Sequence, residues 1–295
     1  MSHPGVVCVG QAVVDCVTIA PEELTPTNSR AESITLSAGG DAVNQSVAIA
    51  QMGHSAAAAI ALGCDAAGDI VEGVLASHGV DLSRVVRMPQ PFQTPVANLL
   101  VSPDGSRRSI SSRAAQLPGY APDPAAIAGA RVVSLASLFR APFLDPAAVL
   151  ALARAAKETG AVLVADTKLP IGNALGLDDL RETLALVDYL FPNEVEAAYL
   201  TGASDLADMA SALLAAGVGC AVVKAGERGC YVASAEGAFA LPALDCEVVD
   251  TTGAGDHFAA GFICALLEGA DLEACALAGR ALASESLAYP GGIMP

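Results

Sequence analysis

The sequence is short of several things, and each shortage removes a class of function. Positive charge is scarce: 15 Lys and Arg stand against 32 Asp and Glu, a formal net charge of -17. So acidic a chain repels phosphate backbones and anionic lipid surfaces, which argues against nucleic acid or membrane as partner. No apolar run reaches the length of a membrane span; the best candidate, Val43 to Leu62, is interrupted by Asn44, Gln45, Gln51 and His54. Eight cysteines contain no Cys-x-x-Cys pair, so neither a metal cluster nor a disulfide frame is expected. Free, mostly buried thiols in a reducing cytoplasm account for them. Met1-Ser2-His3-Pro4-Gly5 lacks the basic and apolar segments of a signal peptide, and a cytoplasmic location is expected. A Gly-x-x-x-x-Gly-Lys-Ser/Thr loop is missing as well, which excludes a P-loop. There is no internal repeat, low-complexity tail or clear linker, so residues 1–295 are read as a single domain.

What is present is a rhythm of strand-like apolar runs alternating with Ala-rich helical runs, within a 53% hydrophobic composition of which aromatics are only 4%. That alternation predicts an α/β fold with a mostly parallel sheet and helices on both faces. Segments 13–37 and 92–112, the second a hairpin about Ser102-Pro103-Asp104-Gly105-Ser106, suggest a small sheet outside those layers.

The chain is organised around Val248-Val249-Asp250-Thr251-Thr252-Gly253-Ala254-Gly255-Asp256-His257-Phe258. An apolar stretch runs into a turn of small residues, and the turn opens a helix. Backbone N–H groups of Gly253, Ala254 and Gly255 can converge on one anion, with the helix N-terminus behind them. Asp256 sets a carboxylate beside that hole. A phosphate hole next to a base for a hydroxyl is what phosphoryl transfer requires. The plainer reading is a common Gly-rich turn with Asp256 as a helix cap. A dinucleotide turn is disfavoured, because its third glycine falls on Phe258. Upstream, Asp15 follows the first strand, Gly5–Gly10, and a carboxylate there can accept from two neighbouring hydroxyls. Gly39-Gly40-Asp41-Ala42-Val43-Asn44 opens a helix, with glycines that permit close approach and an Asn that both donates and accepts. For Asp41 itself, a helix-cap role is expected. Arg140 and Lys168 follow strand ends, where they would receive phosphate or a carboxylate or else remain solvated.

The stretch Asp250-Thr251-Thr252-Gly253-Ala254-Gly255-Asp256 resembles the Asp-Thr-x-Gly-Ala-Gly-Asp signature of the ribokinase-like (PfkB-type) carbohydrate kinases. Three other segments agree in order: Asp15, the Gly-Gly-x-x-x-Asn of Gly39, Gly40 and Asn44, and the Asn-x-x-Glu of Asn193 and Glu196. The resemblance implies a three-layer sandwich with a β-sheet lid, and a homodimer through that lid. It implies an ATP-dependent sugar kinase in which Asp256 is the general base. Asp15, Gly39, Gly40 and Asn44 would hold the acceptor. Asn193, Lys224, Gly226 and Gly229 would lie near ATP, and Glu196 would hold Mg²⁺ through water. A monovalent cation such as K⁺ would sit near Asp250 and Thr252. Asp41 departs from ribokinase, which carries Lys there.

A neutral sugar is favoured as acceptor, since Asp15 and Asp41 repel an anion. A nucleoside is the next reading, with Phe139 or Phe92 as the wall for its base. A 2-keto-3-deoxy sugar acid is another, through Arg140 and Lys168; a phosphosugar is least favoured with so few cations. From a different class, the chain would be a non-catalytic sugar-binding sensor, against which the intact Asp256 argues.

Overall fold

The computed structural model describes residues 5–21, 27–102, 107–112, 120–170 and 175–295. The chain begins β1 (Val6–Val9), β2 (Val13–Ile19), β3 (Ser33–Gly39), α1 (Asp41–Gln51), β4 (Ala56–Ala59), β5 (Ala61–Gly63) and α2 (Ala66–Ser77). It continues through β6 (Val86–Met88), β7 (Val96–Val101), β8 (Arg107–Ser111), β9 (Val132–Leu138), α3 (Pro146–Glu158), β10 (Val162–Thr167) and α4 (Arg181–Leu184). The remainder is β11 (Tyr189–Phe191), α5 (Glu194–Thr201), α6 (Leu206–Ala215), β12 (Cys220–Lys224), β13 (Cys230–Ser234), β14 (Gly237–Leu241), α7 (Ala254–Leu267) and α8 (Leu272–Ser286).

Eight strands form one sheet in the order β14-β13-β12-β11-β10-β9-β1-β4. It is parallel from β4 to β12 and antiparallel over β13 and β14. The central strands are continuous apolar runs because both their faces are covered. Alternate residues serve two separate cores: Val6 and Cys8 pack with α1, α2, α7 and α8, whereas Val7 and Val9 pack with α3, α5 and α6. Several of these helices start where a carboxylate accepts a free backbone N–H: Asp65 before α2, Asp145 before α3, Asp205 before α6 and Asp271 before α8. The result is the three-layer arrangement that the alternation predicts.

Residues 56–62 are one continuous apolar run, but the backbone leaves the main sheet at Ile60. There Val86 N–H donates to Ile60 O at 2.9 Å, and β5 pairs with β6 in a separate two-stranded sheet.

A second sheet, ordered β3-β2-β7-β8, stands apart from the main one. It draws on the two segments that the sequence marks as outside the layers; the hairpin tip, residues 103–106, lies outside the described residues. Pairing places Leu36, Cys16, Asn98 and Ile110 in one cross-strand row, and Ser37, Asp15, Ala97 and Ser111 in the next. Adjacent rows point to opposite faces, so Asp15 and Leu36 face opposite ways. Ile34, Leu36 and Ile110 are more than half exposed.

Because β1, β9, β10, β11 and β12 run in one direction, their C-terminal ends share an edge. Arg140, Lys168, Asn193 and the end of Lys224 gather there, at the edge where open α/β sheets bind ligands.

Candidate active site

The glycine turn and α1 meet above that edge. Gly253 caps α7 with φ 77°, a left-handed conformation that suits glycine, and a Cβ there would lie 2.8 Å from Gly292 Cα. The first-turn amides of α7 have no helical carbonyl to bond; that of Ala254 reaches only Thr251 O, at 3.3 Å. Asp256 lies in the first turn and is buried. It does not cap the helix. Instead Asn44 Nδ2 donates to its Oδ2 at 2.8 Å, and Gln45 Nε2 stands 3.5 Å from its Oδ1. Ser134 Oγ on β9 donates to Gln45 Oε1 at 2.6 Å, which turns the amide nitrogen toward Asp256. Burial, and then the charge of Asp41, push the Asp256 carboxyl up to about 8; Lys168 and the Asn44 bond act the other way.

Asn44 Oδ1 is buried without a partner, an acceptor left unpaired beside the carboxylate. Gly39 and Gly40 lead into the same helix. Gly40 adopts φ 97°, and a Cβ there would meet Gln11 O at 2.6 Å. Asp15 packs over Gly39, and burial raises its carboxyl above the ordinary value. Of the four residues marked in the sequence as acceptor ligands, Asn44 bonds Asp256 directly, while Asp15 packs over Gly39 where the chain enters the same helix.

Asp41 behaves differently from the helix cap that the sequence suggests. Gly40 occupies the N-cap, with no side-chain cap bond. The Asp41 carboxylate pairs with Lys168 Nζ at 2.9 Å, across from β10. The reason is register: Asp41 is the first residue inside the helix rather than the N-cap, the position from which a side chain accepts the first-turn amides, and its carboxylate is drawn to the Lys168 ammonium instead.

On the other side of the turn lies a cavity of about 820 Å³, lined by Asn193, Glu196, Lys224, Gly226, Gly229 and the 253–256 turn, together with Lys168, Asp166 and Arg280. All four residues marked for the nucleotide lie on its wall. Asn193 and Glu196 form a capping box at the start of α5. Glu196 Oε2 accepts from Asn193 N–H at 3.0 Å and from Thr167 Oγ at 2.8 Å. Its other oxygen has no bond among the described residues. Lys224 is held between both oxygens of Asp166, at 2.9 Å each. Burial lifts the Asp166 carboxyl to about 6, against the pull of that lysine.

Sequence reasoning did not assign Asp166, Gln45, Ser134 or Gly292. Gln45 directly follows the marked Asn44, a signal within reach. Ser134 is one polar residue inside a buried strand and gives no signal until the strand is placed under α1. Asp250 and Thr252 do meet the C-terminal segment: Asp250 Oδ1 accepts from Thr252 N–H and Oγ, and Oδ2 accepts from Gly291 N–H at 2.9 Å. Phe139, one of the two walls suggested for a nucleoside base, is buried in the core and presents no such wall. Five cysteines are buried, Cys64 and Cys246 are exposed, and none is bonded to another.

A helix-borne amide turn, a carboxylate beside it and an open crevice at the strand edge define a phosphoryl-transfer enzyme of three-layer α/β architecture. The chain belongs to the pfkB family of carbohydrate kinases, whose family model matches residues 4–295. It is 34% identical to an ATP-dependent ribose-1-phosphate kinase of Halopiger xanaduensis over 80% of this chain and 76% of that one. It is 29% identical to a ribokinase of Haemophilus influenzae, over 86% and 82% of the two chains. A ribokinase of Arabidopsis thaliana, solved with ribose and ATP, superposes with a TM-score of 0.83 at 26% identity, over 98% of this chain and 94% of that one. The protein is therefore an ATP-dependent kinase of the sugar and nucleoside kinase group. No helix among the described residues is long and apolar enough to cross a membrane.

Proposed function

We propose that the protein transfers the γ-phosphoryl group of ATP to a hydroxyl of a small sugar, with Asp256 as the general base. The observation that carries this reading is the 2.8 Å bond from Asn44 to Asp256, which joins the acceptor helix to the glycine turn. A hydroxyl held by Asn44 Oδ1 and Asp15 then lies beside the Asp256 carboxylate. Asp256 takes the hydroxyl proton as the oxygen forms its bond to the γ-phosphorus. The bond between that phosphorus and the oxygen bridging to ADP breaks, and ADP departs with the electron pair. Amides at the start of α7, over Gly253, Ala254 and Gly255, face the charge that develops on the phosphoryl oxygens. Most of the acceleration comes from alignment and preorganised charge.

Glu196 and Asp166 supply the hard carboxylate oxygens that would hold Mg²⁺, directly or through water, and the ion would neutralise phosphate charge. Among the described residues no group of three ligating side chains forms a full metal cage. That fits an ion held largely by water and phosphates. A monovalent cation at the Asp250–Thr252 loop is part of the same proposal, supported by the contact of that loop with Gly291. So is a homodimer formed through the small sheet, whose Leu36 and Ile110 leave apolar surface exposed on the face away from Asp15.

The test is ADP release over a panel of sugars, sugar acids, sugar phosphates and nucleosides, with Mg²⁺ and with or without K⁺. One acceptor turns over well above background in the wild type. Asp256→Asn binds ATP but lowers turnover on the order of 10²–10⁴-fold, as expected for loss of a general base. Wild-type turnover in that variant would remove Asp256 from the chemistry.

A further inference from the structure

Arg140 follows β9 at the ligand edge, and the mechanism above gives it no work. Its guanidinium makes no hydrogen bond or ion pair with any described residue, and Nε is fully buried without a partner. A guanidinium N–H buried in this way is normally paired, because hydration lost on burial must be replaced by a hydrogen bond. Burial accordingly pulls the group below its ordinary value, and the only charges acting in its favour are Asp41 and Glu196.

The backbone holds the residue in place. Arg140 N–H donates to Ser137 O at 3.0 Å, and Arg140 O accepts from Phe143 N–H at 2.7 Å. The residue before it, Phe139, adopts φ 73°, the one left-handed non-glycine among the described residues. Its ring is buried in the core. Strained backbone of this kind persists where the surrounding structure over-determines it, and it collects at ligand sites.

On the neighbouring strand end stands Lys168, tied to Asp41 at 2.9 Å. Asp41 thus lies under the influence of two cations, and its negative charge is already compensated. The two cations differ in one respect: Lys168 lines the nucleotide cavity and Arg140 does not. The stronger of the two charges acting on Arg140 is that of Asp41, which directly follows Gly40, and this sets the guanidinium toward the acceptor's side of the glycine turn.

We propose that Arg140, with Lys168 seated on Asp41, receives an anionic group carried by the acceptor sugar, a phosphate or carboxylate distinct from the hydroxyl that is phosphorylated. The proposal rests on the kinase reading above and narrows its substrate class. The planar fork of Arg suits either anion, since both offer two oxygens in one plane.

The experiment uses the full chain and its Arg140→Met and Arg140→Lys variants. ADP release is measured with ribose, ribose 1-phosphate, ribose 5-phosphate and 2-keto-3-deoxygluconate. The wild type prefers an anionic acceptor, and which of these it prefers separates phosphate from carboxylate. In Arg140→Met the ratio of kcat/KM for that acceptor over ribose falls about 10- to 100-fold, the size expected for a charged hydrogen bond. Arg140→Lys, which keeps charge and lacks the fork, falls between. An unchanged ratio in both variants, or a wild type that prefers ribose, overturns the proposal. A rise in the KM for ATP with the ratio unchanged assigns Arg140 to the phosphoryl donor and also overturns it. Silence of the wild type on every acceptor tells against the kinase reading instead. In that case thermal shifts with inorganic phosphate decide: stabilisation lost in Arg140→Met supports the anion site, and equal stabilisation overturns it.

Discussion

Asp256 is asked to be a base while buried among other carboxylates, and its titration follows from that setting. Burial and Asp41 raise its carboxyl to about 8, so near neutrality much of the free enzyme carries the proton that blocks catalysis. Activity requires the deprotonated form. We therefore expect kcat/KM, which reports the free enzyme, to rise with pH through an inflection near 8. A profile already flat above about pH 5, where an ordinary carboxylate is ionised, would refute it. Stability has the opposite sign. The folded value lies above the unfolded one, so this contribution is complete below about pH 4 and is lost as pH climbs toward 8. Asp256→Asn accordingly melts higher than the wild type at pH 8, although it has lost its turnover. Little of this was legible at the residue scale. The identity of Asp256 stands out in the sequence; its company comes from two other segments, Asp41 at the start of α1 and Asp166 with Lys168 at the end of β10.

At the scale of elements, the turn before α7 depends on Gly253 for two independent reasons. Its φ of 77° disfavours any side chain, and Gly292 leaves no room for a Cβ. Left-handed backbone alone disfavours an L-residue by about 1–2 kcal/mol, and the turn escapes that strain only by moving its amides. Gly253→Ala should weaken ATP binding about 10-fold or more, measured by calorimetry. Gly269→Ala is the control: φ is 83° and nothing lies within 4 Å, so strain acts there without a clash and away from the turn. Equal ATP affinity in the Gly253 variant and the wild type would show that the amides do not hold the phosphates. Patterns within one element were readable in advance, such as the turn of small residues that opens α7. The break at Ile60 was not, because it depends on Val86 drawing the chain toward a different sheet.

For the molecule as a whole, the small sheet presents one face with Asp15 and one with Leu36 and Ile110. Apolar side chains so exposed on a two-sided sheet call for a cover, and the proposed cover is the same face of a second copy. Leu36→Lys combined with Ile110→Lys should convert a dimer to a monomer in light scattering coupled to gel filtration. A dimer that survives both substitutions would place the interface elsewhere.

The sequence alone determined the layered α/β class, the four motifs in their order, and the kinase reading. Each of these is written in local chemistry: strand and helix periodicity, small residues in a turn, a carboxylate at a strand end. Only the tertiary structure decided the pairings. It took Asp41 out of a cap and set it against Lys168, put Gln45 and Ser134 behind Asp256, and sent Phe139 into the core. It also left Arg140 half-buried, with its Nε closed off from solvent and without a partner. Contacts between residues far apart in the chain depend on strand order and sheet register, which no local pattern encodes. The charge balance at the acceptor edge is such a quantity, and with it the proposed preference for an anionic sugar.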